Sequence, residues 1–176
     1  PRRGTMRRLS PLLLCLVLSA LAGCTALGSG GVALLPATQI HGAYSRQAVI
    51  GDTGRSALIG QVLVLREESG LTLAAEVGQA WNSGEGRVRM IEAWSDGRQL
   101  PFRKVNRRER FCTGAGACQG YRTGVLSFTA DSFARAARHG YSATLIGPDA
   151  VAEIHLPAAL FVEARDRARA SRIWPD

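Results

Sequence analysis

Helical spacing of apolar residues first appears near Thr129, after a long region in which the spacing is strand-like, and this change constrains the fold more than any other feature. Before it, short apolar runs such as 58–67 and 71–77 are separated by turns rich in glycine, asparagine and aspartate. Such runs are typical of β-strands. After it, helical and strand-like stretches follow each other. Because helices do not alternate regularly with strands, the order predicts antiparallel pairing.

Six strands are expected before the change, followed by a helix, a hairpin and a second helix. The predicted strands are 45–50, 58–67, 71–77, 88–94, 99–105 and 121–129, and the hairpin comprises 141–146 and 151–156. Thr129 or Asp131 caps the first helix and Gly140 ends it. Pro157 opens a last helix that ends near residue 171. The sequence therefore predicts an α+β fold, a mostly antiparallel β-sheet that is sandwich-like or barrel-like, with two short C-terminal helices.

Residues 1–23 have the composition of a secretory signal. Arg7 and Arg8 precede a short apolar run, 12–21, which ends in small residues. A membrane-spanning helix needs about 20 consecutive apolar residues, and this run is shorter. Pro1 cannot initiate translation, so we expect translation to start at Met6, with residues 1–5 upstream of the true start.

The residues at the end of this segment, Leu21, Ala22, Gly23 and Cys24, resemble the lipobox of bacterial lipoprotein precursors. The resemblance implies cleavage before Cys24, attachment of a diacylglycerol to its thiol and acylation of the new amine, for example by palmitate. It implies a lipid-anchored envelope protein, and Thr25 in place of a retaining aspartate indicates the outer membrane, facing the periplasm. Residues 129–160 bear a slight resemblance to uncharacterised small proteobacterial lipoproteins, from which no function follows.

The remaining chain divides into a tether and one domain. Residues 24–41 contain several glycines and Pro36 with little periodicity, which predicts a flexible tether. Residues 42–176 are long enough for a single globular domain with its own core. Residues 24–176 carry 18 basic and 14 acidic side chains, so the net charge after cleavage is modest.

Two cysteines remain once Cys24 carries its lipid. Cys112 and Cys118 enclose a short stretch rich in glycine and alanine. In an oxidising periplasm this arrangement favours a structural disulfide that closes a small loop. A metal site or a pair of free, redox-active thiols is the alternative, although a metal site would need further ligands nearby. We predict no bound metal and no cofactor.

The sequence lacks the main motifs of nucleotide-binding proteins, serine hydrolases and zinc proteases. His41, His139 and His155 are far apart in sequence and are expected on the surface or at element ends. Asp52-Thr53-Gly54, with Leu145-Ile146-Gly147 later, is similar to the motifs of retroviral-type aspartic proteases. In that family two such aspartates share a proton across a dimer. Arg55 after the turn and the long gap between the motifs depart from the family's pattern.

A basic run of Arg103, Lys104, Arg107, Arg108 and Arg110 is opposed only by one glutamate. It could bind an anionic partner, such as the phosphates of an envelope glycolipid. The alternative is a charged edge strand that prevents strand-to-strand aggregation, and Pro101 favours an edge position. Nucleic acid is excluded as a partner by the predicted compartment.

These observations favour a lipid-anchored envelope protein whose domain is a non-catalytic binding or assembly module. Its expected partners are the membrane, through the anchor, and an envelope protein or an anionic glycolipid. The alternative is a lipid-anchored periplasmic hydrolase. That activity would need a pocket that gathers two or more of Asp52, Glu76, Glu92, Asp131 or a histidine. A lipid carrier, a third hypothesis, would need an apolar cavity between sheet and helices.

Overall fold

The computed structural model describes residues 31–35, 40–80, 88–109 and 120–174. Within these ranges the chain forms eleven strands and two helices. The strands are β1 (Gly31–Leu35), β2 (Ile40–Tyr44), β3 (Ala48–Asp52), β4 (Ala57–Glu67), β5 (Gly70–Ala80), β6 (Glu92–Ser95), β7 (Arg98–Gln99), β8 (Phe102–Glu109), β9 (Gly120–Phe128), β10 (Tyr141–Ile146) and β11 (Val151–Leu156), and the helices are α1 (Ala130–His139) and α2 (Ala158–Ala170).

The strands form one antiparallel sheet that curls into a half-barrel. The strand order is β7-β6-β10-β11-β3-β4-β5-β9-β8, and β2 pairs with the second half of β4 and carries β1 on its other side. Both helices follow β9 in the chain and lie near the C-terminus. The predicted fold class, α+β with a mostly antiparallel, barrel-like sheet and two C-terminal helices, is confirmed.

β4 and β5 form the centre of the sheet because both are long and rich in apolar side chains. They pair in register over their whole length, 57–67 with 70–80. Leu58, Val62 and Val64 alternate along β4, point into the core and are fully buried. Gly70 has a φ of 129°, which a residue with a side chain rarely adopts, and it closes the tight turn between the two strands.

The chain bends between β2 and β3, and Ser45 maintains the hydrogen bonding to β4 across this bend. The Ser45 N–H donates to Val62 O at 2.9 Å, and the Val62 N–H donates to Ser45 Oγ at 3.0 Å. On α2, the Glu163 carboxylate accepts hydrogen bonds from the backbone N–H and from Nη1 of Arg46, each at 3.1 Å. These contacts hold α2 against the sheet at the bend.

The predicted tether is wrong for residues 31–35 and 40–41, which belong to strands β1 and β2. β3 pairs with the first half of β4 only, over residues 57–60. The N–H and C=O groups of 63–66 that point away from β5 would therefore be left without strand partners, and β2 supplies them. The sequence does not reveal this pairing because the glycine-rich composition of the segment is typical of a linker.

Both helices begin and end close to the predicted positions. Thr129 caps α1, its hydroxyl accepting a hydrogen bond from the Ser132 N–H, and Gly140 ends the helix with a φ of 77°. Pro157 takes the capping position of α2 rather than the first helical position, with extended backbone angles. This one-residue difference is small because proline suits either position, having no N–H to leave unpaired.

Aromatic side chains fill the space between the helices and the sheet. The Phe161 ring of α2 lies 5.3 Å from the rings of Phe128 and Phe133, in edge-to-face contacts. Phe133, Leu160 and Phe161 are each no more than 1% exposed. The lipid-carrier hypothesis, which required an apolar cavity between sheet and helices, stays a prediction.

Residues 88–91, expected to be part of a strand, lie just before β6 and outside the assigned strands, with Val88 and Met90 buried and Arg89 and Ile91 exposed. The Gln79 side chain pairs with Val88 as a neighbouring strand would: Oε1 accepts from the Val88 N–H at 2.9 Å, and Nε2 donates to Val88 O. Nε2 also donates to Thr123 Oγ1 at 2.9 Å, and the Ser56 hydroxyl donates to Oε1 at 3.2 Å. This buried amide therefore has all its hydrogen-bonding capacity used.

β8 is the last strand of the sheet at the end opposite β7, so the predicted edge position is confirmed. The ladder between β8 and β9 shifts register at residues 105–106, and Asn106 has a φ of 46°. At this bulge the Asn106 side chain donates to Met90 O at 2.9 Å. The bond joins β8, at one end of the curled sheet, to residue 90, just before β6 near the other end.

Replacing Gln79 with leucine should destabilise the fold strongly, because the buried N–H and C=O of Val88 would lose their partners. We expect the free energy of unfolding, measured by urea denaturation, to fall by about 3 kcal/mol. Gln99, which is exposed on β7, provides the matched control: Gln99→Leu should change it by less than about 0.5 kcal/mol. Equal stability of the two variants would show that the amide does not hold this segment.

Candidate functional site

Two clefts meet at the turn between β6 and β7. The first, here called the helix cleft, lies between α1 and residues 95–101 and has a volume of about 730 Å³. The second, here called the strand cleft, lies over the solvent-facing side of β6, β10 and β11 and has a volume of about 370 Å³. Ser95, Asp96 and Ser142 line both. The two clefts therefore form one continuous candidate site.

The turn between β6 and β7 is built from local sequence signals. Asp96 and Gly97 have φ values of 50° and 71°, as a two-residue hairpin turn of the Asp-Gly type requires. Trp94 pairs with Thr144 of β10, which ties β6 to the main sheet. Beyond this pair, the Ser95 hydroxyl donates to Ser142 O at 3.0 Å. The turn is therefore held at a fixed position beside the start of β10.

The helix cleft combines an apolar lining with polar rims. Leu100, Phe128 and Tyr141, all half-buried, supply most of the apolar surface, and the rings of Phe128 and Tyr141 pack edge-to-face at 4.9 Å. Hydroxyl groups line the remainder, from Ser95, Ser127, Thr129, Ser132 and Ser142. Such a mixture of apolar surface and a few convergent polar groups is typical of ligand-binding sites.

The Tyr141 phenol is the titratable group most affected by this environment. Its pKa is raised above the usual 10.0, chiefly because the ring is partly buried and the charged form loses solvation. Asp96 raises the pKa further by charge repulsion. A hydrogen bond with Ser95 and the positive charge of Arg135 act in the opposite direction. The phenol therefore remains a neutral hydrogen-bond donor in the cleft throughout the physiological pH range.

Charged side chains stand around the rim of the helix cleft. Arg98 comes from β7, while Arg135 and His139, one helical turn apart, come from α1. Asp96 is the acidic residue opposite them. All four side chains are exposed. Basic groups thus outnumber acidic ones along this rim.

The strand cleft has a different chemistry. Trp94 lies half-buried beside Thr144, and its indole N–H donates to the Glu92 carboxylate at 2.9 Å. Glu153 and Asp96 add acidic groups to the lining, and His155 stands at one side. This cleft therefore presents an aromatic surface among carboxylates, which suits a polar or cationic group better than an anion.

One hydrogen bond in the strand cleft joins a hydroxyl to an imidazole. Ser142 and His155 are paired across β10 and β11, and Ser142 Oγ lies 3.0 Å from His155 Nδ1. Both side chains are exposed. In the part of the chain that the structure describes, no carboxylate is hydrogen-bonded to the other nitrogen of this imidazole, so the third member of a catalytic triad is not in place.

Neither cleft meets the condition set for a hydrolase from the sequence. His139 lines the helix cleft and His155 lines the strand cleft. Neither cleft is lined by a carboxylate from the set proposed for the hydrolase, Asp52, Glu76, Glu92 and Asp131. Glu92 binds the Trp94 indole, Glu76 forms an ion pair with Arg122 on another part of the sheet, and Asp131 lies in the first turn of α1. The side chain of His41 lies outside the described residues.

Asp52 is exposed at the end of β3, and its carboxylate accepts a hydrogen bond from the Gly54 N–H within its own turn. The side chain of Thr53 accepts a hydrogen bond from the Ser56 N–H in the same turn. The second protease-like motif begins at the buried Leu145 on β10, and β11 lies between β10 and β3. Asp52 thus forms an ordinary Asx turn and does not meet the second motif.

The basic run lies on the edge strand β8. Arg103 and Lys104 are exposed there, as the hypothesis of a protective charged edge requires. Arg107 and Arg108 continue the pairing with β9, but their side chains, like the whole of Arg110, lie outside the described residues. Arg103 and Lys104 line neither cleft, and anion binding by the run stays a prediction.

Several predicted residues lie outside the described ranges, namely Leu21, Ala22, Gly23, Cys24, Cys112 and Cys118. The last described pair of the β8–β9 ladder is Glu109 with Gly120, so both later cysteines belong to the connection within one hairpin. The disulfide, and its metal-binding and free-thiol alternatives, stay predictions. In the described ranges no helix is long and apolar enough to span a membrane, and no three His, Cys, Asp or Glu side chains are grouped to hold a metal ion.

The sequence did not single out the residues that line the helix cleft. Ser95-Asp96-Gly97 was predicted as a turn, and the spacing of Arg135 and His139 places both on one face of a helix. These local signals do not show that the turn and the helix face each other. The hydrogen bond from Ser95 to Ser142 spans 47 positions in the chain.

Charge substitutions should shift the pKa of Tyr141 in opposite directions. Asp96→Asn removes a negative neighbour and should lower the pKa, while Arg135→Gln removes a positive neighbour and should raise it. Ultraviolet titration of the phenolate measures both, with Tyr141→Phe identifying the Tyr141 signal among the tyrosines. The pKa of Tyr141 is higher in the folded protein than in the unfolded chain, where it is near 10.0. The free energy of unfolding should therefore fall as the pH rises beyond that value. Shifts of the same sign would contradict this arrangement of charges.

Comparison of the chain with protein families, with curated proteins and with solved structures finds no match.

Proposed function

We propose that this protein is a lipid-anchored binding module of the bacterial cell envelope, with no catalytic role. The resemblance of residues 21–24 to a lipobox supports the anchor, which would be carried by Cys24. Two or more acyl chains together hold a protein at a membrane almost permanently. Thr25 supports the outer membrane, facing the periplasm. The membrane itself is then the first partner.

The observation that carries the binding role is the meeting of two clefts at Ser95, Asp96 and Ser142. The backbone around them is fixed by strand pairing of β6 with β10 and by the Ser95–Ser142 hydrogen bond. The charged side chains at the rim, by contrast, are exposed to solvent. A rigid scaffold that presents unengaged polar groups around apolar surface is the arrangement expected of a binding site. The proposed partner is another envelope protein or an anionic envelope glycolipid.

Photo-crosslinking in intact envelopes tests this proposal. A photoreactive amino acid at Ser142, which lines both clefts, should give a discrete adduct, because a bound partner lies within reach of that side chain. The same amino acid at Glu68, exposed in the turn between β4 and β5, is the matched control and should give none. Radiolabelled palmitate should be incorporated into the chain, and Cys24→Ala should abolish both the label and the adduct.

Three results would contradict the proposal. Identical adducts from Ser142 and Glu68 would mean that crosslinking reports random proximity in a crowded membrane. An adduct that persists in Cys24→Ala would mean that the anchor does not bring the protein to its partner. Lack of palmitate incorporation into the wild-type chain would remove the envelope assignment itself.

A lipid-anchored periplasmic hydrolase is the second candidate, and the Ser142–His155 hydrogen bond is the observation that favours it. A histidine beside a serine can act as a general base and activate the hydroxyl. Exposure of both side chains and the lack of an orienting carboxylate among the described residues make this pair a weaker explanation of the site.

A fluorophosphonate probe distinguishes the two candidates, because it reacts covalently with serines that are activated as nucleophiles. We expect no labelling of the wild-type protein beyond that of Ser142→Ala. Ser127, also exposed at the helix cleft, supplies the matched variant Ser127→Ala. Labelling that is lost in Ser142→Ala and in His155→Ala, but kept in Ser127→Ala, would instead establish the hydrolase.

A further inference from the structure

Within the described ranges, no salt bridge neutralises the basic side chains around the helix cleft. Arg98 and Arg135 form no ion pair with any residue that the structure describes, whereas Arg46 and Arg167 both bind the carboxylate of Glu163. Asp96 is the acidic group on the cleft's rim, opposite Arg98 and Arg135. The cleft is thus electropositive and its guanidinium groups are available to a ligand.

The two arginines belong to different elements that line the same cleft. Arg98 is carried by the short edge strand β7 and Arg135 by α1, with the side chains of Leu100, Phe128 and Tyr141 also lining the space. A ligand held by both guanidinium groups would rest its remaining atoms on this apolar surface. The phenol O–H of Tyr141, which lines the same cleft, is a hydrogen-bond donor for the same anionic group.

We propose that the helix cleft binds a small amphipathic anion, a molecule with a carboxylate or phosphate group joined to an apolar body. The anionic group would bind Arg98 and Arg135, and the apolar body would pack on Leu100, Phe128 and Tyr141. Guanidinium groups are the preferred partners of both carboxylates and phosphates, because their paired N–H donors match the two oxygens. This inference rests on the proposed binding function and specifies the chemistry of its ligand.

The size and composition of the cleft support this class of ligand over larger or uncharged ones. A volume of about 730 Å³ lies within the range of small-molecule sites, about 300–1,000 Å³. The basic run on β8 is a less suitable site for such a ligand, because Arg103 and Lys104, unlike Arg98, line neither cleft. The strand cleft is lined by Asp96 and Glu153 and would repel an anion.

Calorimetric titration of the full chain with three matched probes tests the charge and the apolar requirement together. The probes are 4-phenylbutyrate, 4-phenylbutanol and 4-phenylbutylamine, which share one apolar body and differ in charge. We expect saturable binding of the butyrate and at least tenfold weaker binding of the alcohol and the amine. Acetate, which has the carboxylate without the apolar body, should also bind at least tenfold more weakly. 4-Phenylbutyl phosphate keeps the apolar body and carries a phosphate in place of the carboxylate, so the tighter of the two anions identifies the preferred headgroup.

Arginine variants locate the binding in the helix cleft. Arg98→Gln and Arg135→Gln should each weaken butyrate binding about tenfold, because each removes a charged hydrogen-bond donor. Arg138→Gln is the matched control, since Arg138 is exposed on the same helix but does not line the cleft. Asp96→Asn should strengthen binding by removing the opposing charge, a gain that misfolding could not produce. Binding should weaken as the salt concentration rises.

Three results would overturn the inference. They are failure of both anions to bind saturably, equal binding of the amine and the butyrate, and equal weakening by Arg138→Gln and Arg135→Gln. Each can be distinguished from failure of the proposed function, because a Ser142 adduct that depends on Cys24 would still identify a partner at this site. Absence of that adduct together with anion binding would mean that the cleft binds a small molecule but no stable envelope partner.

Discussion

The candidate site depends on the hydrogen bonds between the buried side-chain amide of Gln79 and the backbone of Val88. Gln79 on the central strand β5 holds Val88 through both its N–H and its C=O. The side chains of Val88 and Met90 are thereby kept in the core, and the Ile91 N–H reaches Ile146 O at 2.8 Å. From there β6 continues as the neighbour of β10. The position of the turn that carries Asp96 therefore follows from a hydrogen bond made deep in the core.

Helix α1 forms the other boundary of the helix cleft, and aromatic packing determines where it lies. Phe133 is buried on its inner face against Phe161 of α2, and Phe128 at the end of β9 contacts both. Because Phe128 is shared between this cluster and the cleft lining, the core and the site have common side chains. The helix cleft therefore lies where α1 meets the sheet, and its shape depends on how the two pack together.

The sequence predicted those elements whose cause is local. The β-branched, apolar run of 58–67 forms the central strand, Thr129 and Gly140 cap α1, and Gly147-Pro148-Asp149 connects the predicted hairpin. Its errors have equally physical causes. β1 and the first two residues of β2 fall within the predicted tether because glycine and proline dominate their surroundings, whereas β2 pairs with the open edge of β4 and β1 pairs with β2. Residues 88–91 were assigned to a strand because apolar residues alternate there, and a side chain takes the place of their strand partner.

By itself, the sequence determined the fold class, the order and approximate bounds of most elements, and the resemblance that predicts a lipid on Cys24. These properties depend on residues close together in the chain, whose spacing and backbone preferences can be read directly. Only the tertiary structure decided that Arg98, Arg135 and Tyr141 line one cleft, and that Asp52 caps its own turn apart from the second protease-like motif. Such groupings depend on the curling of the sheet and on the packing of α1. Both result from contacts between residues far apart in the sequence, whose combined geometry no local pattern encodes.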